Sequence, residues 1–181
     1  MSDPHDRSLG RPDLLDDSGL TPLSQEALLD LEQTFFQWHR RVLKGELTGR
    51  LLAESGHPIE PGQFHALTAV ARIAAGVGRD GPTAPTVGLL ADEMAIDPSR
   101  ASRVAADLIA QGLIRREAAQ DDGRKTVLCL TDTGRAVLAD MRDRKWAHFV
   151  RMFSRWSEDE IACFARLFKR YARDIMGDDM G

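Results

Sequence analysis

Two arginines and two serines near position 100 form the pattern in this 181-residue sequence that is best suited to binding chemistry. Asp97 followed by Pro98 predicts a helix start, because an aspartate N-cap and a proline at the first helical position both favour helix initiation. The helix would bury an apolar side formed by Ala101, Val104, Ala105 and Leu108. Its outward side would carry Ser99, Ser102, Arg103 and Ala106, with Arg100 at the edge. Because arginine donates to guanine edges and phosphates, and small residues allow close approach, this side is a candidate for the DNA major groove.

A second group of cations stands at the tip of a predicted β-hairpin. Strand-like runs at 113–118 and 126–130 flank a polar connection that contains a turn-forming Asp-Gly pair. Arg124 and Lys125 lie at this tip, where they can reach a minor groove or its phosphates, since a narrow minor groove attracts cations. The alternative interpretation is a routine hairpin turn with charged flanking residues.

The elements around these residues follow a recognisable order. Thr86 is expected to cap a short helix, a tight turn follows near Ala95, and the helix that starts at Asp97 runs to Gln111. Gly112 suits a left-handed position after that helix, and the hairpin comes next. Short helix, turn, capped helix and hairpin form the pattern of a winged helix-turn-helix. A solvated helix that happens to hold two arginines is the alternative, and the hairpin argues against it.

Longer helices are predicted on both sides of this module. Ser24 is expected to be the N-cap of the first one, and after it Leu28, Leu31, Phe35, Trp38 and Val42 recur at steps of three or four. This spacing predicts one helix of about 25–30 residues, bent near Gly45 or Gly49. After the hairpin, Thr131 or Asp132 caps another long helix, and Ser157 with Glu160 forms the capping box of the last one. Since a small domain cannot cover such long helices, they predict a subunit interface; an ordinary core helix with a break is the alternative.

Several of these segments together resemble the MarR family of bacterial regulators. The similar segments are Glu60-Pro61-Gly62-Gln63-Phe64, Leu90-Ala91, Leu108-Ile109-Ala110-Gln111-Gly112-Leu113-Ile114-Arg115-Arg116, Asp122-Gly123-Arg124 and Leu130-Thr131-Asp132-Thr133-Gly134. The Asp-x-Arg wing followed by Leu-Thr-x-x-Gly is the most specific part. The resemblance covers about 24–176.

The resemblance implies a mainly α fold with a small β-hairpin, in which long dimerisation helices flank the winged helix-turn-helix. It divides the chain into a helical dimerisation region at 23–60 and 132–177 and a DNA-binding domain at 61–131. The acidic, proline-containing segment at 1–22 departs from the family's pattern, and its composition predicts a flexible extension. Ser99, Arg100, Ser102 and Arg103 would read the major groove, and Arg124 would contact the minor groove. A homodimer with two-fold symmetry would bind a pseudo-palindromic operator, with half-sites about 10 base pairs apart, and act as a repressor.

Members of the family commonly release DNA when a small aromatic ligand binds between the dimerisation and DNA-binding parts. The residues expected to line such a cleft are Phe35, Trp38, His39, His65 and Arg72. The alternative is that these residues belong to the core or to a subunit interface.

Other family members sense oxidants through cysteine, which makes a thiol-based redox-sensing regulator an alternative. Cys129 is predicted on a hairpin strand and Cys163 on the last helix, whereas the family's peroxide-sensing cysteine lies in the N-terminal helix. We therefore expect buried structural cysteines. The five histidines lack metal-ligand spacing, and no phosphate-binding glycine loop or paired catalytic motif is present, so we expect no metal, no cofactor and no enzymatic activity.

The net charge of −4 at first argues against a nucleic-acid binder. However, residues 1–32 hold eight acidic residues against two arginines, so the remainder is positive, and 141–173 carries nine Lys or Arg against four Asp or Glu. The N-terminus has no apolar signal core, and no apolar run approaches about 18 residues, so we expect a cytoplasmic protein without membrane contact. A winged helix that serves as a protein–protein interaction adaptor is the alternative function from another class.

Overall fold

The computed structural model describes residues 12–118 and 126–177, and the chain divides into two compact units, Met1–Arg50 and Leu51–Gly181. The described residues are mainly helical with one antiparallel hairpin, as predicted. The elements in chain order are α1 (Pro22–Leu43), α2 (Glu46–Ser55), α3 (Pro61–Ala75), α4 (Val87–Met94), α5 (Pro98–Ala110), β1 (Ile114–Ala118), β2 (Thr126–Leu130), α6 (Asp132–Phe153) and α7 (Glu158–Met176). Within these described ranges, no helix is both long and apolar enough to cross a membrane.

Helix α1 begins earlier and ends sooner than the sequence predicted. Its N-cap is Thr21 rather than Ser24, since the Thr21 hydroxyl accepts a hydrogen bond from the backbone N–H of Ser24 at 3.3 Å. The prediction of a single bent helix is wrong, because α1 and α2 are separate helices with Gly45 between them. Gly45 adopts φ +63°, a left-handed conformation that glycine tolerates better than other residues, and this conformation interrupts the helix.

Residues 12–20 form a short structure in front of α1, with a 3-10 turn at Asp13–Leu15. The side chain of Gln25, on the first turns of α1, is buried and donates from Nε2 to the carbonyl oxygens of Leu15 at 2.7 Å and Leu20 at 3.2 Å. This side chain therefore ties the preceding backbone to the helix. Residues 1–11 of the predicted flexible extension lie outside the described residues.

The core of the second unit is built around α3. Its completely buried residues contact the neighbouring helices through one continuous apolar side: Ala66, Leu67, Ala69, Val70 and Ile73. Leu90 of α4, Leu108 of α5 and Ile114 of β1 are buried to the same degree. Burying a leucine or isoleucine side chain contributes roughly 1.5–3 kcal/mol to the free energy of folding, so this cluster stabilises the packing of the helix-turn-helix against α3.

The hairpin is attached to this core at both ends. Its strands pair from Ile114 opposite Leu130 to Ala118 opposite Thr126, and Leu128 faces the core. The backbone N–H of Leu128 also donates to the carbonyl oxygen of Pro85 at 2.7 Å. The segment that precedes α4 therefore holds β2 in place.

Helix α6 is partly buried in its first half and largely exposed in its second half. In its first half, Val137 and Met141 are buried against the second unit. In its second half, large apolar side chains are exposed, among them Trp146 at 60% and Val150 at 66%. Phe153 at the end of α6 contacts Trp156 edge-on and Phe164 at a tilt, with ring centroids 5.0 and 6.1 Å away. The two last helices therefore share an aromatic cluster that remains largely exposed.

Candidate nucleic-acid interface

Helix α5 presents the predicted groove residues together on one side. The carboxylate of Asp97 accepts a hydrogen bond from the backbone N–H of Arg100 at 2.8 Å, which fixes the helix start. Ala101, Ala105 and Leu108 have no exposed surface, so they set the rotation of the helix about its axis. The opposite side is exposed at Ser99, Arg100 and Arg103 and half-exposed at Ser102.

The turn that orients α5 depends on an unusual alanine. Ala95 has φ +51°, and it is the one residue other than glycine with a positive φ between positions 12 and 118 or 126 and 177. Its backbone N–H donates to the carbonyl oxygen of Asp92 at 3.1 Å, and Ile96 donates to Ala91 at 3.0 Å. These bonds close the end of α4 and support the strained alanine. The chain can therefore turn within two residues and place the N-cap of α5 at Asp97.

The exposed side of α5 carries unpaired positive charge. Within the described part of the chain, neither Arg100 nor Arg103 forms an ion pair. Arg115 on β1 differs, because its Nε donates to Glu117 at 2.6 Å. That hydrogen bond holds the pKa of the Glu117 carboxyl below its usual range. The guanidinium groups of α5 are thus available to an external anion, whereas that of Arg115 is engaged within the hairpin.

Cys129 completes the small cluster on the hairpin. Its thiol donates to Glu117 Oε2 at 3.3 Å, and burial raises its pKa above the ordinary value, with a further contribution from Glu117. Cys129 is half-buried, in line with a structural residue, whereas Cys163 is exposed on α7. The expectation that Cys163 is buried was wrong, because nearly all of α7 is uncovered within the chain.

Arg124, Lys125 and the rest of the predicted wing tip lie outside the described residues.

The Leu-Thr-x-x-Gly segment joins α5, the hairpin and α6 at one point. The Thr131 hydroxyl lies 2.6 Å from the carbonyl oxygen of Gly112 and 3.0 Å from that of Leu113, and it accepts from the backbone N–H of Gly134 at 3.0 Å. A Cβ on Gly134 would lie 2.1 Å from the carbonyl oxygen of Leu113. Only glycine therefore allows α6 to approach the end of α5 this closely.

The residues predicted to bind a ligand divide between the two units. On α1, the Phe35 ring lies 5.4 Å from Trp38 and 5.9 Å from His39, measured between ring centroids. On α3, His65 is exposed, and Arg72 pairs with Glu93 at 3.0 Å. The shared cleft remains a prediction. The ion pair between Arg72 and Glu93 was not predicted from the sequence, because the two residues lie on different helices and no local spacing links them.

A further ion-pair cluster fixes α6 to the segment before α3, and sequence reasoning did not find it. Asp140 Oδ2 lies 2.7 Å from Arg144 Nε and 3.0 Å from His57 Nε2. The hydrogen bond from Arg144, followed by that from His57, lowers the pKa of the Asp140 carboxyl. Arg144 also donates to the carbonyl oxygen of Glu54 at 3.2 Å. These contacts reinforce the position of α6 set by Thr131.

Comparison with known sequences points to one family. A sequence model described as "MarR family" matches residues 57–125. A curated Bacillus subtilis relative, the uncharacterized HTH-type transcriptional regulator YxaD, is 32% identical over 81 residues, which cover 45% of this chain and 57% of the relative. The chain thus matches less than two thirds of the length of that relative.

Comparison with solved structures agrees on the fold. A MarR family protein from Bacillus stearothermophilus superposes with a TM-score of 0.65 at 19% identity, over 84% of this chain and 98% of the other. RV1404 from Mycobacterium tuberculosis gives a TM-score of 0.62 at 18% identity, over 85% and 97%. MepR of S. aureus, solved with ethidium bromide bound, gives 0.57 at 16%, over 77% and 96%. With its helix-turn-helix, its hairpin and the Thr131–Gly134 joint, the chain has the winged helix fold of these MarR family structures, and its residues 57–125 are similar to the family's sequence model.

Proposed function

We propose that this protein is a dimeric, sequence-specific DNA-binding transcriptional regulator that acts as a repressor and not as an enzyme. The observation that carries the proposal is the exposed side of α5, where Arg100 and Arg103 project from a helix whose other side is fully buried. An α-helix fits the major groove of B-DNA, and its N-terminal residues meet the base edges. Ser99 and Ser102 are small enough to let the helix backbone come close to the groove.

Arg103 is the residue we assign to base reading. It stands near the middle of the exposed side, whereas Arg100 lies nearer its edge and suits a phosphate contact. A good bidentate contact between arginine and guanine contributes about 1–3 kcal/mol of discrimination. Arg103→Ala should therefore weaken operator binding by roughly 5- to 150-fold and affect random DNA much less.

A second copy of the chain is proposed to cover the exposed apolar surface of the last two helices. Between α6 and α7 runs an apolar groove of about 760 Å³, lined mainly by Trp146, Phe149, Phe153, Phe164 and Phe168. Monomeric soluble proteins rarely expose apolar patches of this kind. A two-fold dimer would place two α5 helices on one face of the duplex, with half-sites about one helical turn apart. Sedimentation equilibrium should give twice the chain mass at micromolar concentration.

The decisive experiment is a gel shift on duplex DNA from upstream of the gene, at two salt concentrations. Binding through several phosphates must weaken steeply as salt rises, whereas a protein–protein adaptor need not respond in this way. Arg142→Ala is the matched control, because Arg142 is exposed on α6 and its removal changes the net charge equally. Equal losses for Arg103→Ala on operator and random DNA would refute the base-reading role. Failure of the wild-type protein to bind DNA would favour the adaptor.

Release of DNA by a small aromatic ligand is the regulatory part of the proposal. The adjacent rings of Phe35, Trp38 and His39 support it, as does the ethidium bromide bound to MepR. The test is a panel of aromatic acids and cations added to the preformed DNA complex. No change in operator affinity across the panel would refute this part alone.

A further inference from the structure

One carboxylate in the winged domain is shared by two arginines. Glu93 lies near the end of α4. Its Oε1 is 3.0 Å from Arg72 Nη2, and its Oε2 is 2.9 Å from Arg79 Nη2. Arg72 belongs to α3, and Arg79 belongs to the loop between α3 and α4. Only 21% of the Glu93 side chain is exposed, so these contacts are shielded from water on most sides. Glu93 therefore connects three separate parts of the domain.

The loop that holds Arg79 is itself fixed at both ends. At its start, Gly76 adopts φ +72°, and a Cβ at this position would lie 2.3 Å from the carbonyl carbon of Gly81. The backbone N–H of Thr83 donates to the carbonyl oxygen of Ile73 at 3.2 Å. At its end, Pro85 accepts the hydrogen bond from Leu128 of β2. A side chain anchored to this loop is thereby anchored to the hairpin as well.

Glu93 also lies close to the recognition helix along the chain. Met94 ends α4, Ala95 makes the left-handed turn, and Asp97 caps α5. We propose that Glu93 is a positioning residue for DNA recognition. Through Arg72 and Arg79 it holds the turn before α5 at a fixed place relative to the loop and the hairpin, so that α5 and the wing can engage the same duplex together. This inference rests on the proposed DNA-binding function.

Removing the carboxylate would leave two cations facing each other. The Nε atoms of Arg72 and Arg79 are both buried, and neither has a hydrogen-bond partner among residues 12–118 and 126–177. Without Glu93, the two guanidinium groups repel each other, and the loop moves away from α3 and α4. The expected consequence is a displaced recognition helix in a domain whose apolar core is unchanged.

Whether Glu93→Gln strengthens or weakens DNA binding distinguishes a positioning role of Glu93 from an effect of its negative charge alone. Glu93 is an anion in a domain that binds a polyanion, so if charge alone mattered, Glu93→Gln would strengthen binding to every duplex. A positioning role predicts the opposite for the operator, because misplaced contacts are lost there, while random DNA depends mainly on net charge. Asp92→Asn is the matched control, because Asp92 is the exposed neighbour on the same helix and loses the same charge.

The experiment measures affinities for two duplexes, one selected by the wild-type protein from a random-sequence library and one unrelated. We expect Glu93→Gln to bind the selected duplex at least tenfold more weakly and the unrelated duplex as tightly as Asp92→Asn does. Glu93→Asp should recover part of the loss. If Glu93→Gln fails to fold, Arg79→Lys keeps the charge without the planar guanidinium and should reduce selectivity in the same direction.

The outcomes distinguish the inference from the function on which it rests. A wild-type protein that selects a duplex, combined with Glu93→Gln and Arg79→Lys variants as selective as Asp92→Asn, would overturn the positioning role alone. Equal losses of Glu93→Gln on both duplexes would also overturn it, since they indicate general destabilisation. A wild-type protein that selects no duplex would refute the proposed function and the positioning role together.

Discussion

Gly134→Ala tests whether α6 is held against the end of α5 as the structure describes. Gly134 lies in the first turn of α6, where its backbone N–H donates to the Thr131 hydroxyl. An added Cβ would lie 2.1 Å from the carbonyl oxygen of Leu113 and 3.0 Å from its carbonyl carbon. Both atoms belong to the backbone, so no side-chain rotation can relieve the clash. Either α6 or the turn at Leu113 must move by roughly 1 Å, in a region packed as tightly as a protein core.

The expected loss follows from two opposing effects. Overpacking a well-packed site destabilises a protein by about 1–3 kcal/mol, and a clash with backbone atoms belongs at the upper end of that range. Alanine favours helix over glycine by about 1 kcal/mol, which offsets part of the loss. The free energy of unfolding should therefore fall by about 2 kcal/mol.

Urea unfolding followed by circular dichroism measures this change, with Gly62→Ala as the control. Gly62 is exposed on the first turn of α3, and a Cβ at this position meets nothing within 4 Å. Gly62→Ala should leave the stability unchanged or raise it by up to about 1 kcal/mol. If Gly134→Ala proved as stable as Gly62→Ala, the close approach of α6 to Leu113 would be refuted.

Three further perturbations test other contacts. Asp97→Ala removes the N-cap of α5 and should lower the free energy of unfolding by about 1 kcal/mol, whereas Asp97→Asn, which keeps an acceptor, should lose much less; equal losses would show that the cap contributes nothing. Because Arg144 lowers the pKa of Asp140 below the ordinary value of 3.8, the ionised carboxylate stabilises the fold above that value, and its contribution disappears as the pH falls through the lowered pKa. Asp140→Asn should therefore flatten the acid side of the stability–pH curve, and an unchanged slope would contradict the assignment. Burial raises the pKa of Cys129, so iodoacetamide should label this thiol slowly at pH 8 in the native protein and faster in urea; equal labelling rates would argue against its placement.

The sequence predicted the helix-turn-helix well, because local chemistry marks its boundaries. Thr86 and Asp97 cap α4 and α5 as expected, and Gly112 takes the left-handed conformation after α5. Each signal acts over three or four residues, through a hydrogen bond or a backbone preference that needs no tertiary structure. The exposed side of α5 follows from these bounds together with the spacing of its alanines and Leu108.

Other features could not be predicted, since they depend on contacts that periodicity does not encode. The apolar pattern continues past Gly45, and one glycine costs a helix only about 1 kcal/mol, so a bend and a break look alike in sequence. The link from Glu93 to Arg72 and Arg79 joins residues on separate elements, and it exists only once α3 and α4 pack together. The exposure of Cys163 likewise depends on what covers α7.

Helix α6 connects the exposed aromatic surface to the helix-turn-helix and the hairpin. It has 22 residues and spans about 33 Å, with Trp146 and Phe149 on its far half and Gly134 at its start. The close approach of Gly134 to the carbonyl oxygen of Leu113 leaves no space for even a Cβ atom between the two backbones. A tilt of α6 toward Leu113 must therefore move this residue, which lies three positions after the end of α5 and immediately before β1. For this reason, we expect a displacement of α6 toward Leu113 to reach both the end of α5 and the start of the hairpin.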